Sequence, residues 1–347
     1  MKPNPSAIAI VGTTTWGMTL GLILAGKGAA VRLWARTQEE AAALDREREN
    51  KARLPGFKFP DTLAVTASLE EALSAANLVI LAVPSQHMRQ NVRLAAEHLR
   101  KEHLVLSVAK GLELGTAKRM SQVIADEIDP RFHSKVCVLS GPNLAREIVR
   151  GLPATTVVAA YDTGVATRVQ RVIASPFFRV YVNNDVVGVE LGGVLKNVIA
   201  LAAGMVDGLG LGDNTKAGLI TRGLAEITRL GVAAGANPLT FAGLAGLGDL
   251  MATCSSPLSR NRYVGQELAK GRTLKELLAS MTEVAEGVTA TEAALKLAKD
   301  LDIEMPIAEE VYRVLYEGLD VRRAVSELME RKLKHEFAGI LDDAIGR

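Results

Sequence analysis

Between residue 7 and about residue 182 the chain repeats one pattern: a short β-branched apolar run, a polar turn, a helical stretch, then another run. The runs are AIAIV, AVRLW, NLVILAV, HLVLSV, KVCVLS, ATTVVAA and FRVYV, and the stretches between them, such as EEAAALDREREN and QHMRQNVRLAAEHLR, combine helix formers with charged faces. This alternation builds a parallel sheet with crossover helices on both faces. After Asn184 the strands stop and long Ala-, Leu- and Gly-rich helices follow. In KAGLITRGLAEITRL, for example, Ala217, Ile220, Leu224, Ile227 and Leu230 form one stripe. The sequence therefore predicts an α/β Rossmann-type domain over residues 1–186 and a mainly helical domain over 187–347. With 347 residues and 48% hydrophobic content there is apolar material for both cores.

Charge and cysteine content narrow the function classes. A net charge of +2 with no long run of one sign argues against a nucleic-acid partner or an acidic membrane surface held by bulk electrostatics. Cys137 and Cys254 cannot frame a disulfide scaffold, which points to a reducing, cytoplasmic setting. Residues 5–26 lack charge and follow Lys2, as in a signal peptide, but Gly and Thr interrupt them and the run reads as strand, turn and helix. The later run LGGVLKNVIALAAGMVDG carries Lys196 and Asn197 and reads as a buried helix, without membrane insertion. His87, His98, His103, His133 and His335 show no metal-ligand spacing, so no metal is expected.

The first turn, GTTTWG, is a dinucleotide fingerprint with one departure. Gly12 closes the first strand and Gly17 lets the next helix approach the sheet, leaving amides at a helix N-terminus where an anion binds. Thr14 stands where the middle glycine would let the backbone meet a pyrophosphate, so its branched side chain must point away from a cofactor. The second strand ends at Arg36, with no acid before Glu39. Arginine there favours a 2′-phosphate, although a solvated loop cation explains it equally. LVILAVPS brings Val83 and Pro84 to a strand carboxyl edge, where open α/β sheets collect ligands.

In the helical half, Lys196 follows Gly192 and Gly193, and helical side chains lean over the preceding turn. Two bare glycines there would leave the lysine room for a ligand, and partial desolvation would lower its pKa; a snorkelling surface lysine is the alternative. Downstream, Asp249 follows a glycine-rich turn, and Arg260 and Asn261 open a helix capped by Ser259, a start suited to a phosphate dianion.

Over nearly its whole length the chain resembles the bacterial NAD(P)-dependent glycerol-3-phosphate dehydrogenases. The motifs are GTTTWG, WAR, VPSQ, SVAKGLELGT, SGPNLAREI, ELGGVLKNVIALAAGMVDGLGLGDNTKAGLITRGLAEITRLG, GLAGLGDLMATC, LSRNR and AEGVTAT. The resemblance implies Lys196 as acid/base beside Lys110 and Asp249, and a substrate held also by Gly141, Asn143, Ser259, Arg260 and Asn261. It implies a cofactor, NADP or NAD, at Gly12, Thr15, Trp16, Gly17, Arg36, Lys110, Ala145, Arg260, Val284 and Glu286. It further implies a phosphorylated small-molecule substrate, an active site between the domains, a homodimer, and a role in phospholipid synthesis. Two positions depart from the family pattern: Thr14 replaces a glycine, and Asn143 a serine or threonine. The damaged fingerprint also admits a catalytically silent nucleotide sensor.

Overall fold

The computed structural model describes residues 7–281, 285–333 and 336. It divides into two units: Lys110–Arg119 and the chain from Val187 onward form the second, and the rest forms the first. A contiguous division at residue 186 does not contain that ten-residue excursion.

The first unit carries strands β1 (Ala7–Val11), β2 (Ala30–Trp34), β3 (Leu63–Thr66), β4 (Leu78–Leu81), β5 (Leu104–Ser107), β6 (Val136–Ser140), β7 (Ala154–Ala159) and β8 (Phe178–Asn183). Its helices are α1 (Thr15–Gly26), α2 (Gln38–Glu47), α3 (Leu69–Leu73), α4 (Met88–Ala96), α5 (Met120–Glu127), α6 (Ala145–Ile148) and α7 (Thr163–Ile173). The strands form one sheet in the order β3-β2-β1-β4-β5-β6-β7-β8. Ile8 and Ile10 enter one apolar cluster and Ala9 and Val11 another, so both faces of β1 are buried and its sequence is continuously apolar. Strand order reverses at β1, between β2 and β4, which is where such sheets open a ligand crevice at their carboxyl ends.

Two features differ from the sequence reading. β3, LAVT, is an additional strand: four residues at the sheet edge with Ala64 exposed carry too short an apolar signal to stand out. The sheet is also not wholly parallel, because β6 and β7 run antiparallel. Their connection holds only the four-residue α6, and an antiparallel return needs no long crossover helix.

The second unit is helical: α8 (Val186–Leu209), α9 (Gly212–Ala233), α10 (Pro238–Phe241), α11 (Asp249–Ser255), α12 (Arg260–Ala269), α13 (Leu274–Ser280), α14 (Glu286–Asp300), α15 (Pro306–Tyr316) and α16 (Val321–Met329). By length and composition α8 could cross a membrane, but 94% of its most apolar stretch is buried inside the protein. On α9 the expected stripe is buried at Ile220, Ile227 and Leu230, whereas Ala217 is exposed. Glu226 lies on the buried face instead, where its carboxylate accepts from the Ile307 and Ala308 amides, each at 2.9 Å, and caps α15.

Candidate active site

In the first unit the β1–α1 turn is built against the end of β4. Gly12 has φ of 109°, and a Cβ there would lie 2.8 Å from the Ala82 carbonyl oxygen. One on Gly17 would lie 2.8 Å from the Ala82 side chain and 2.9 Å from the Gly12 oxygen. Side chains at either position would therefore push α1 off the sheet. Thr14 differs from both, with φ −67° and ψ 157°, a conformation open to any residue. Its hydroxyl donates to the Ala82 carbonyl at 2.7 Å and accepts from the Gly17 amide at 3.1 Å. The threonine is thus the N-cap of α1 with its side chain turned into the protein. A turn of this shape, with uncharged side chains and a helix N-terminus behind it, fits the pyrophosphate of a dinucleotide.

The other residues expected at a cofactor surround this turn unevenly. Thr15 and Trp16 open α1. The Trp16 ring packs edge-on to Phe178 at 6.1 Å, and its buried indole N–H has no partner among the described residues. Arg36 is exposed just before Thr37, the N-cap of α2. Gly141 has φ of 146°, and a Cβ there would meet the Thr156 Cα at 3.0 Å. The Asn143 amide donates to the Thr155 carbonyl at 3.4 Å, and its oxygen accepts from the Thr156 hydroxyl at 3.0 Å, tying that side chain to β7. Ala145 opens α6. Val284 lies outside the described residues.

In the second unit Lys110, Lys196 and Asp249 come together. Lys196 on α8 donates to Asp249 Oδ1 at 2.5 Å and to the Thr253 hydroxyl at 2.7 Å. Lys110 donates to the other carboxylate oxygen, Oδ2, at 2.6 Å. Thr253 donates in turn to the Asp249 carbonyl at 2.7 Å, one turn back along α11. Asp249 is 1% exposed and Lys196 6%. Burial is the main influence on the Lys196 ammonium; Asp249 opposes it and Lys110 adds to it, and the pKa is lowered to about 8.

The glycine before Lys196 serves a different purpose from the one its sequence suggests. A Cβ on Gly192 would lie 2.5 Å from the Ala245 carbonyl oxygen and 3.4 Å from the Gly246 Cα. The bare position is filled by the π-helical segment Leu244–Gly248, whose continuation is α11 and Asp249. Gly192 therefore leaves room for the backbone that delivers the carboxylate to Lys196, rather than for a ligand.

Lys110 arrives on a small hairpin closed by a bridge between Leu112 and Arg119, with Gly115 and Ala117 at positive φ. Leu112 is fully buried in the helical core, and Arg119 pairs with Glu190 of α8 at 2.6 Å. At the start of α12 the Ser259 hydroxyl accepts from the Arg262 amide at 3.2 Å, so the cap read from the sequence is present. Arg260 is exposed there. Asn261 is buried: its amide donates to the Asn197 side-chain oxygen at 2.9 Å and its oxygen accepts from the Gly287 amide at 3.0 Å. That bridge joins the residue after Lys196 to the first turn of α14, which Glu286 opens. Arg262 instead pairs with Asp207 at 2.6 Å.

Sequence reasoning did not assign site roles to Thr253 or Asn197. Thr253 stands four residues after Asp249, the spacing that stacks side chains along a helix, but a lone threonine in an apolar helix gives no signal without that partner. The assembled group is a buried ammonium, with a pKa close to neutrality, held by a carboxylate and a hydroxyl; such a group can transfer a proton to a developing oxyanion.

Comparison with known proteins agrees across the chain. The model of the NAD-dependent glycerol-3-phosphate dehydrogenase N-terminus matches residues 7–166, and that of the C-terminus matches 185–326. A glycerol-3-phosphate dehydrogenase [NAD(P)+] of Dehalococcoides mccartyi is 58% identical over 96% of this chain and 93% of its own length. One from Moorella thermoacetica is 53% identical over 95% and 97% respectively. The crystal structure of glycerol-3-phosphate dehydrogenase from Coxiella burnetii superposes with a TM-score of 0.89 at 37% identity, covering 94% of this chain and 99% of that one. With both family models matched in order and whole-length relatives above half identity, the chain belongs to the NAD-dependent glycerol-3-phosphate dehydrogenase family.

Proposed function

We propose that the protein reduces dihydroxyacetone phosphate to sn-glycerol 3-phosphate with NADPH or NADH, and that Lys196 is the acid that completes the alcohol. The observation that carries this reading is the Lys110–Asp249–Lys196 cluster, which holds a buried ammonium whose pKa is lowered to about 8. When bound, the reduced nicotinamide supplies a hydride to the ketone carbon. As negative charge grows on the carbonyl oxygen, Lys196 stabilises it and gives up its proton to form the hydroxyl. Asp249 orients both ammoniums, and Thr253 fixes the Lys196 Nζ from a second side. Arg260 at the start of α12 takes the substrate phosphate by charge-assisted hydrogen bonds, with Ser259 and Asn261 beside it. The β1–α1 turn, from Gly12 through Thr15 and Trp16 to Gly17, holds the cofactor pyrophosphate, and Arg36 and Ala145 belong to that site. A cytoplasmic homodimer feeding phospholipid synthesis is the setting that accords with this chemistry.

The deciding experiment follows NADPH and NADH oxidation with dihydroxyacetone phosphate in the wild type and in Lys196→Ala. Turnover in the first and its loss in the second are expected. A wild type that binds the dinucleotide without turnover would overturn the reading in favour of a nucleotide sensor.

A further inference from the structure

The β1–α1 and β2–α2 turns lie side by side in the first unit, because β1 pairs with β2 and the Gly12 amide donates to the Trp34 carbonyl at 3.1 Å. A side-chain bond also joins them: the Thr13 hydroxyl donates to Glu40 Oε1 at 2.5 Å. Glu40 occupies the third helical position of α2, from which a glutamate ordinarily turns back to its own N-cap. Thr37 still caps the Glu40 amide at 3.2 Å, but the Glu40 carboxylate reaches across to the neighbouring turn. Thr13 is buried and Glu40 half-buried, so this negative charge is fixed at the border of the two turns.

That border is where an open parallel sheet receives the adenosine ribose of a dinucleotide, with an acid at the end of the second strand accepting from the 2′-hydroxyl. Here the second strand is followed by Arg36, and the carboxylate arrives four residues later from α2. The two charges have opposite consequences at one ligand position. A 2′-hydroxyl can donate to a carboxylate, whereas a 2′-phosphate dianion is attracted by the guanidinium and repelled by the carboxylate.

We propose that Glu40 is a specificity-determining residue that reads the 2′ position of the adenosine ribose against Arg36, favouring the hydroxyl of NADH and opposing the phosphate of NADPH. Thr13 is the positioning residue that holds the carboxylate there. The inference rests on the dehydrogenase reading only in taking a nicotinamide dinucleotide as the ligand.

Calorimetric titration of the full-length protein with NADH and with NADPH, without substrate, tests it in the wild type, Glu40→Gln and Thr13→Val. Glu40→Gln keeps an acceptor for Thr13 and removes only the charge. It should shift the ratio of the two dissociation constants toward NADPH by about tenfold, roughly the discrimination of one hydrogen-bonded charge at a binding site. The same shift is expected between 2′,5′-ADP and ADP, which confines the effect to the 2′ position. Thr13→Val leaves the charge but frees it, and a shift in the same direction of about threefold is expected. An unchanged ratio in Glu40→Gln, with both dinucleotides still bound, would overturn the role of Glu40 and leave the dehydrogenase reading standing. Failure of the wild type to bind either dinucleotide would overturn both.

Discussion

The helical unit contains two clusters of the same composition, an aspartate between two cations, that differ in burial. Asp249 joins Lys110 and Lys196; Asp207 on α8 joins Lys216, at 2.9 Å, and Arg262, at 2.6 Å. Around Asp249 the side chains are 2% exposed for the acid, 8% for Lys196 and 17% for Lys110, whereas around Asp207 the acid is 18% exposed and both cations 19%. Water reaches the second cluster, so its charges are screened and it serves to tie α8, α9 and α12 together. At the first cluster burial penalises the ammonium directly, and Asp249 only partly compensates. The comparison teaches that counting ion pairs does not locate an acid; the environment of the cation does. Glu226 extends it to a buried carboxylate whose partners are two backbone amides, and burial raises its pKa to about 7.

Removing the buried cation gives the largest expected effect. Lys196→Met should lower kcat for ketone reduction by about 10³-fold, the scale of a lost proton donor that also stabilises charge, with dinucleotide binding unchanged by titration. Asp249→Asn comes next, because it leaves two ammoniums without a counter-charge. A stability loss of about 3–5 kcal/mol in urea unfolding is expected, as for other broken buried pairs. The same variant shifts the pH profile. Reduction requires protonated Lys196, so wild-type kcat/KM should hold below pH about 8 and fall above it. Without the carboxylate that favours the ammonium, the descending limb should move to lower pH; a limb that stays in place would separate Lys196 from the proton transfer.

Glu226→Gln probes the cluster with amide partners. Below the ordinary carboxyl pKa of 4.5 both the folded and the unfolded chain hold the proton. Between that value and about 7 the folded chain keeps a proton that the unfolded chain has released, so wild-type stability falls as pH rises through this window. The glutamine variant lacks that slope, but its side-chain NH2 cannot accept from one of the two amides, so its Tm should lie below the wild-type value in acid and the gap should narrow as pH rises through the window. Lys216→Met should have the smallest effect: about 1 kcal/mol of stability and no change in kcat, in keeping with a partly solvated pair.

Seven of the eight strands and the change of texture after Asn184 were legible because apolar runs and their periodicity are properties of short segments. So was the α12 cap, since Ser259 and the amide it accepts from are three residues apart. Asp249 could be singled out, but its two ammonium partners stand 139 and 53 residues away in sequence, and no local pattern reports that distance. Thr14 looked like damage because the expected glycine is usually needed for close approach. The fold instead gives its hydroxyl both a donor and an acceptor, Gly17 and Ala82, and Ala82 belongs to the end of another strand. Gly192 misled for the opposite reason: an empty place beside a lysine resembles a ligand site until the segment that fills it, Leu244–Gly248, is in view.

The loop closed by Leu112 and Arg119 also governs how this polypeptide could be divided. A cut near residue 186 would separate the sheet from most of the helices, yet the severed front piece would carry away Lys110 and Leu112, which belong to the helical unit. Neither fragment would then be whole. During synthesis, likewise, an early stretch of chain must wait for helices made more than a hundred residues later before its lysine meets Asp249.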